Sequence, residues 1–160
     1  MKIDTPFGPA WAALNDAGAI TAFGFGEKAR NTIGDAAAEH AGTGAELRRQ
    51  LEEFFDGRRA RFELAMEPRG SVFQKQIWEE LQRIPAGESI SYAELARRVG
   101  RPGAARAAGR ANATNPIALL IPCHRVIGSG GKLTGYAYGL KLKEELLNWE
   151  RSQHGFEKSA

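Results

Sequence analysis

The chain has 160 residues, with 42% hydrophobic and 26% charged side chains and a formal net charge of +3, which describes a soluble globular protein of one large domain or two small ones. Its single cysteine excludes an intramolecular disulfide framework and any multi-cysteine zinc site. No apolar run approaches the ~20 residues of a membrane span, Met1-Lys2-Ile3-Asp4-Thr5-Pro6 lacks the apolar core of a signal peptide, and a free thiol fits a reducing compartment, so a cytoplasmic protein with no membrane partner is expected.

Two short strands are expected first, Trp11–Leu14 and Ile20–Phe25, with turn residues Asp16-Ala17-Gly18 between them. Residues 26–43 are rich in Gly, Ala and polar side chains and show no period; His40, isolated there, reads as an ordinary surface residue. From Ala45 to Phe55, Leu47, Leu51 and Phe54/Phe55 recur at helical spacing, and Asp56-Gly57 ends that helix. Arg61–Met66 alternates weakly through Phe62, Leu64 and Met66 and reads as a third strand. Nothing in this part assembles a catalytic constellation. Glu67-Pro68-Arg69-Gly70 is the expected linker.

Beyond the linker the pattern turns helical. Ser71-Val72-Phe73-Gln74 has the form of a capping box, followed by Phe73, Ile77, Leu81 and Ile84 as an apolar stripe that Pro85 and Gly87 stop. Ser91-Tyr92-Ala93-Glu94 is a second capping box that places Tyr92 in the first turn of a short helix, with Leu95 and Val99 inward and Gly100 at its end. After Arg101-Pro102-Gly103 a second helix is expected from Ala104 to Ala113, which makes a helix-turn-helix. That second helix consists almost wholly of small residues, with Arg106 and Arg110 four apart on one face. Small side chains suit either a tight packing face in the core or a backbone lying against a groove; the two arginines favour the groove. Asn115-Pro116 bends the chain, and an Asn in such a turn can hydrogen-bond nearby backbone. A last helix is expected over Leu140–Arg151, with Leu142, Leu146 and Trp149 on one side and Leu147 beside them, before a polar tail from Ser152 that frays. The expected fold class is α+β: a small N-terminal antiparallel-sheet and helix domain over residues 1–68, then a mostly helical domain over 69–160 with a DNA-binding helix-turn-helix.

Charge is unevenly distributed. Residues 1–95 carry 11 basic and 15 acidic side chains, whereas 96–143 carry nine basic ones (Arg97, Arg98, Arg101, Arg106, Arg110, Arg125, Lys132, Lys141, Lys143) and no acidic one. A solvated basic face is the plain alternative, but such a stretch is an electrostatic footprint for a polyanion. The cysteine lies inside it, in Ile121-Pro122-Cys123-His124-Arg125-Val126-Ile127, with apolar residues on both sides. A lone cysteine is usually a buried structural residue. A thiol next to a histidine, inside a basic stretch, instead suggests a nucleophile that a neighbouring base converts to thiolate.

These residues resemble the O6-alkylguanine-DNA alkyltransferases, the methylated-DNA–protein-cysteine methyltransferases. Ile121-Pro122-Cys123-His124-Arg125-Val126 is similar to the active-site motif of that family. Ser91-Tyr92-Ala93-Glu94-Leu95-Ala96, Ala105-Arg106-Ala107, Asn115-Pro116, Gly135-Tyr136 and Lys143-Glu144 fall in the family's order and spacing. The likeness is specific over residues 71–151 and looser over the first 68, where Asp4-Thr5-Pro6-Phe7-Gly8 and Gly24-Phe25-Gly26 carry it.

The resemblance implies a ribonuclease-H-like N-terminal domain and a DNA repair activity that needs no cofactor and no metal. The alkyl group moves once, irreversibly, from guanine O6 of a flipped base to Cys123, with O4-alkylthymine open as a second substrate. It implies His124 as the base acting through a water, Glu150 as the group that orients it, Tyr92 as proton donor to the departing guanine, and Asn115 as the brace of the active-site turn. Substrate and DNA contacts fall by the same resemblance to Arg106, which fills the stack left by the damaged base, and to Arg110, Arg125, Val126, Tyr136, Ala137 and Lys143. The partner is double-stranded DNA entered through the minor groove, bound by a monomer, with cooperative loading of several copies left open. Two positions depart from the pattern: Ala137 stands where some members have a serine, and Tyr138 where a glycine is common.

Other readings explain less. A non-catalytic sensor of alkylated DNA would lack the acceptor cysteine, which is present. A helix-turn-helix regulator leaves Pro-Cys-His-Arg unexplained, a cysteine protease has only the remote His154 downstream, and a redox sensor has no resolving cysteine.

Overall fold

The computed structural model describes residues 1–35 and 41–155; His40 lies outside them. The described chain divides into two compact units, residues 1–69 with 116–120, and residues 70–115 with 121–160.

In the first unit the sheet is a meander of β1 (Lys2–Thr5), β2 (Gly8–Leu14) and β3 (Ile20–Phe25), antiparallel throughout. The β1 strand was not anticipated: at four residues, with only Ile3 buried, it is too short to show alternation. It exists because Gly8 reverses the chain at φ 101°, a conformation that favours glycine, and brings Thr5 opposite it. A helix α1 (Gly26–Ile33) occupies part of the stretch that shows no period, because Ala29 is its only buried residue and no apolar stripe is needed. Helix α2 runs over Ala41–Phe55 and buries Leu47, Leu51 and Phe54.

The expected third strand at 61–66 does not form. Gln50 takes the place of a strand neighbour: its Oε1 accepts from Glu63 N at 2.8 Å and its Nε2 donates to Glu63 O at 3.1 Å. Only Met66 bridges the sheet, beside Ile20. The remaining strand-like partner comes from far along the chain, where Phe23 N donates to Pro116 O and Ala118 N to Phe23 O, both at 2.9 Å. The segment that precedes the cysteine motif is therefore part of this core, with Ile117, Ala118, Leu119 and Leu120 all buried.

The second unit begins at a complete capping box. Ser71 Oγ accepts from Gln74 N at 3.1 Å, and Gln74 Oε1 accepts from Ser71 N at 2.8 Å, opening α3 (Val72–Leu81). The second expected box is half formed. Ser91 Oγ accepts from Glu94 N at 3.0 Å, but the Glu94 carboxylate turns to Arg97 and Arg98 instead. Helices α4 (Tyr92–Arg98) and α5 (Ala105–Ala113) follow, packed on each other and on α3. Buried Trp78 of α3 donates from Nε1 to Ala111 O of α5 at 2.8 Å.

Two dipeptides, β4 (Ile90–Ser91) and β5 (Val126–Ile127), pair in parallel. Helix α6 (Leu140–Glu150) closes the unit and continues as a π turn over Arg151–Gly155 where fraying was expected. Its buried face is Lys143, Leu146, Leu147 and Glu150, so two charged residues stand where the sequence pattern suggested Leu142 and Trp149.

Candidate active site

The β4–β5 pair positions the site. It fixes Ser91, the N-cap of α4, beside Ile127, and so holds Tyr92 near the single 3₁₀ turn formed by Cys123–Arg125. Pro122 starts that turn at φ −81°, and its carbonyl accepts from Arg125 N at 3.1 Å. Two asparagines brace it: Asn115 Nδ2 donates to Ile121 O at 2.7 Å, and Asn112 Nδ2 to Cys123 O at 3.2 Å. Asn112 was not anticipated. It is legible only once α5 is seen to bury Ala108, Ala111 and Asn112 and to expose Arg106 and Arg110.

Cys123 is 7% exposed. Burial pushes its thiol up from the usual value, while a hydrogen bond from Asn115 and the charge of Lys143 pull the other way without winning. The resting sulfur is a neutral thiol, so a base is needed to release the thiolate that reacts.

His124 follows, fully buried. Its Nε2 lies 3.0 Å from Glu150 Oε1, a close charge contact whose angle falls short of an aligned hydrogen bond, and its Nδ1 has no hydrogen-bond partner among the described residues. Glu150, also fully buried, receives Arg125 as a fork: Nη2 to Oε2 at 2.6 Å and Nε to Oε1 at 3.0 Å. Burial acts to raise the Glu150 carboxyl, but His124 and Arg125 outweigh it and hold the group at about 2. The carboxylate is thus ionised, paired with the Arg125 guanidinium and in contact with the His124 ring.

Arg125, expected to contact DNA, faces inward in the structure. It is 5% exposed, and its third bond, Nη1 to Ile84 O at 2.7 Å, completes an inward-facing role. Without Arg125 the buried Glu150 carboxylate would lose its guanidinium counter-charge, which is costly in a buried site. Val126, expected at the substrate, is fully buried in β5.

Tyr92 and Lys143 meet at Thr134, another residue the sequence did not flag. Tyr92 O–H donates to Thr134 O at 3.3 Å, and Lys143 Nζ donates to the same oxygen at 2.7 Å. Lys143 has no exposed surface, and desolvation lowers its ammonium from 10.5 to about 8. Tyr136 and Tyr138 form an edge-on pair with ring centroids 5.7 Å apart. The Tyr136 hydroxyl is buried without a hydrogen-bond partner among the described residues, and burial drives that phenol well above its usual range. Ala137, between them, is exposed.

The basic footprint is narrower in space than in sequence. Arg97 and Arg98 pair with Glu94, Arg125 with Glu150, Lys141 lies 4.0 Å from Glu145, and Lys143 is buried. Arg101, Arg106, Arg110 and Lys132 have no ion pair among the described residues. Among those residues no group of three or more His, Cys, Asp or Glu could hold a metal, and no helix is long and apolar enough to cross a membrane.

Comparison with known proteins gives this geometry a context. The family profile described as "6-O-methylguanine DNA methyltransferase, DNA binding domain" matches residues 72–152. A methylated-DNA–protein-cysteine methyltransferase of Methanosarcina acetivorans is 43% identical over 149 residues, covering 93% of this chain and 96% of the relative. The protein of the same name from Methanosarcina barkeri is 46% identical over 150 residues, with 94% and 95% covered. The crystal structure of Mycobacterium tuberculosis OGT in complex with DNA superposes with a TM-score of 0.82 at 40% identity, covering 95% of this chain and 92% of that one. A match along nearly the full length, with the cysteine turn and its partners inside the profiled region, places the chain in the 6-O-methylguanine DNA methyltransferase family.

Proposed function

We propose that this chain repairs DNA by moving an alkyl group from guanine O6 to Cys123, once per molecule and irreversibly, with O4-alkylthymine as a second substrate open to test. The observation that carries the reading is the state of the nucleophile. A neutral buried thiol sits in a braced turn, next to a histidine that contacts an ionised buried carboxylate. This is a nucleophile, base and orienting group in series.

In the proposed reaction the thiol proton leaves toward His124 Nδ1 through a water, and Glu150 stabilises the imidazolium. The sulfur then attacks the alkyl carbon, the S–C bond forms as the C–O6 bond breaks, and the electron pair stays on guanine. Tyr92 supplies the proton that guanine takes up. Asn115 and Asn112 hold the turn, and Lys143 favours the thiolate by charge. No cofactor is required, since every atom transferred comes from the substrate or the chain.

Duplex DNA is the proposed partner, bound by a monomer at α4 and α5 acting as a helix-turn-helix, with the small-residue helix α5 in the minor groove and Arg106 taking the place of the flipped base. Residues 69–160 form the DNA-binding and transfer domain in this reading, 1–68 the supporting domain, and the location is cytoplasmic.

The test is intact-protein mass after incubation with a duplex containing O6-methylguanine, with Cys123→Ala in parallel. A gain of one methyl group, mapped to Cys123 and absent from the variant, is expected. Tight binding without a mass change would make the protein a damage sensor, and neither binding nor mass change would end the reading.

A further inference from the structure

Three hydrogen bonds converge on Thr134. Its carbonyl accepts from Lys143 Nζ at 2.7 Å and from the Tyr92 hydroxyl at 3.3 Å, and its own Oγ1 donates to the Tyr92 oxygen at 3.2 Å. The Lys143 ammonium also lies 6.0 Å from the centroid of the Tyr92 ring. Hydroxyl-to-oxygen bonds usually lie near 2.7–2.8 Å, so both bonds of the phenol, to this carbonyl and from Thr134 Oγ1, are long at rest. The ammonium is the stronger donor and holds the carbonyl at short range. The phenol proton is therefore loosely tied and ready for a better acceptor, and Thr134 Oγ1 is placed to tighten its bond once the phenol oxygen becomes charged.

We infer that Thr134 is a positioning residue for alkyl transfer: its hydroxyl steers the Tyr92 phenol and steadies the negative charge left on it when the proton goes to the departing guanine. The inference rests on the proposed function. In the step, the Tyr92 O–H bond breaks as a guanine–H bond forms, and the phenolate keeps the pair. Thr134 Oγ1–H and the nearby ammonium stabilise that phenolate until solvent returns the proton. Hydrogen bonds to a charged oxygen are stronger than those to a neutral one, so the Thr134 hydroxyl contributes more in the transition state than at rest. The short bond of the ammonium goes to the carbonyl, so the Thr134 hydroxyl is the donor that bonds the phenol oxygen directly.

The experiment is single-turnover transfer at saturating O6-methylguanine duplex, with duplex affinity measured separately. Thr134→Val removes the hydroxyl and keeps the backbone carbonyl, and Thr134→Ser restores it. Thr134→Val is expected to slow transfer about tenfold with duplex affinity unchanged, and Thr134→Ser to recover to within about threefold of the parent. In a Tyr92→Phe background the same Thr134→Val change is expected to cost less than about twofold, since the oxygen it serves is gone. Should Thr134→Val fail to fold, Thr134→Ala takes its place with the same measurements. Equal rates for Thr134→Val and the parent overturn the inference, as does a serine variant as slow as the valine one. An undiminished effect in the Tyr92→Phe background does so too, because it would show a structural role independent of the phenol. A parent protein that transfers nothing overturns the proposed function itself and this inference with it.

Discussion

Glu150 faces the Arg125 guanidinium and the His124 ring from a position with no exposed surface, and most of the chemistry of the site depends on that carboxylate staying charged. Glu150→Gln is expected to cost about 3–5 kcal/mol, because it strands the Arg125 guanidinium without a counter-charge. Urea unfolding at pH 7 reads the loss. The group's folded value is depressed from 4.5 to about 2. Its contribution is therefore complete above about 4.5 and is lost as pH falls through about 2, and acid unfolding of the parent should steepen in that window and flatten in the variant.

Lys143 has the opposite sign. Its ammonium is lowered from 10.5 to about 8 by desolvation, so the folded state carries a penalty below about 8 that disappears as pH rises toward 10.5. Lys143→Met is expected to be more stable than the parent at pH 7, by up to about 3 kcal/mol before the lost bond to Thr134 is subtracted. The gain should shrink by pH 10, and alkyl transfer should slow. A variant that is both less stable and slower at pH 7 would contradict this account.

At the scale of elements, α5 places small residues on its buried face and Arg106 and Arg110 on the exposed one. Ion pairing leaves four cations of the basic stretch without a counter-charge among the described residues: Arg101, Arg106, Arg110 and Lys132. If they make the phosphate contacts, the slope of log affinity against log salt should be about −3 to −4, against about −8 for nine contacts. Titration of a duplex at several salt concentrations measures it, and a slope of about −5, as for six contacts, would mean that the Glu94 pairs open on DNA and release Arg97 and Arg98.

Gly109, on the same helix, faces Tyr92: a Cβ built there meets the ring at 3.5 Å, an ordinary contact. Gly109→Ala should therefore fold normally and gain a few tenths to about 1 kcal/mol from helix propensity. Gly109→Leu should displace the Tyr92 ring and slow transfer, which thermal unfolding and single-turnover assays together would show.

At the scale of the molecule, the chain does not finish one unit before starting the next. It leaves the second unit after Asn115, completes the first with residues 116–120 and returns at Ile121. A fragment of residues 70–160 would expose Ile117, Leu119 and Leu120, which are 0–4% accessible in the intact chain. At roughly 1.5–3 kcal/mol for each large apolar side chain left uncovered, the fragment should be markedly less stable than the full chain and prone to self-association. Comparing thermal midpoints and sedimentation of fragment and full chain tests this.

What the amino-acid sequence determined on its own are the features encoded within a few residues. The capping box at Ser71, the helical stripes of α2 and α3 and the hairpin strands β2 and β3 are all of this kind, because caps, turns and periodic burial are local physics. Tertiary structure decided the rest. The Gln50 side chain replaced an expected strand, and two-residue strands too short to leave a pattern aligned Tyr92 with the cysteine turn. Arg125, read as a DNA contact, turned inward, because a buried carboxylate 25 positions away demands a partner. Thr134 acts at the site partly through a backbone carbonyl, which every residue type carries and which no sequence pattern distinguishes.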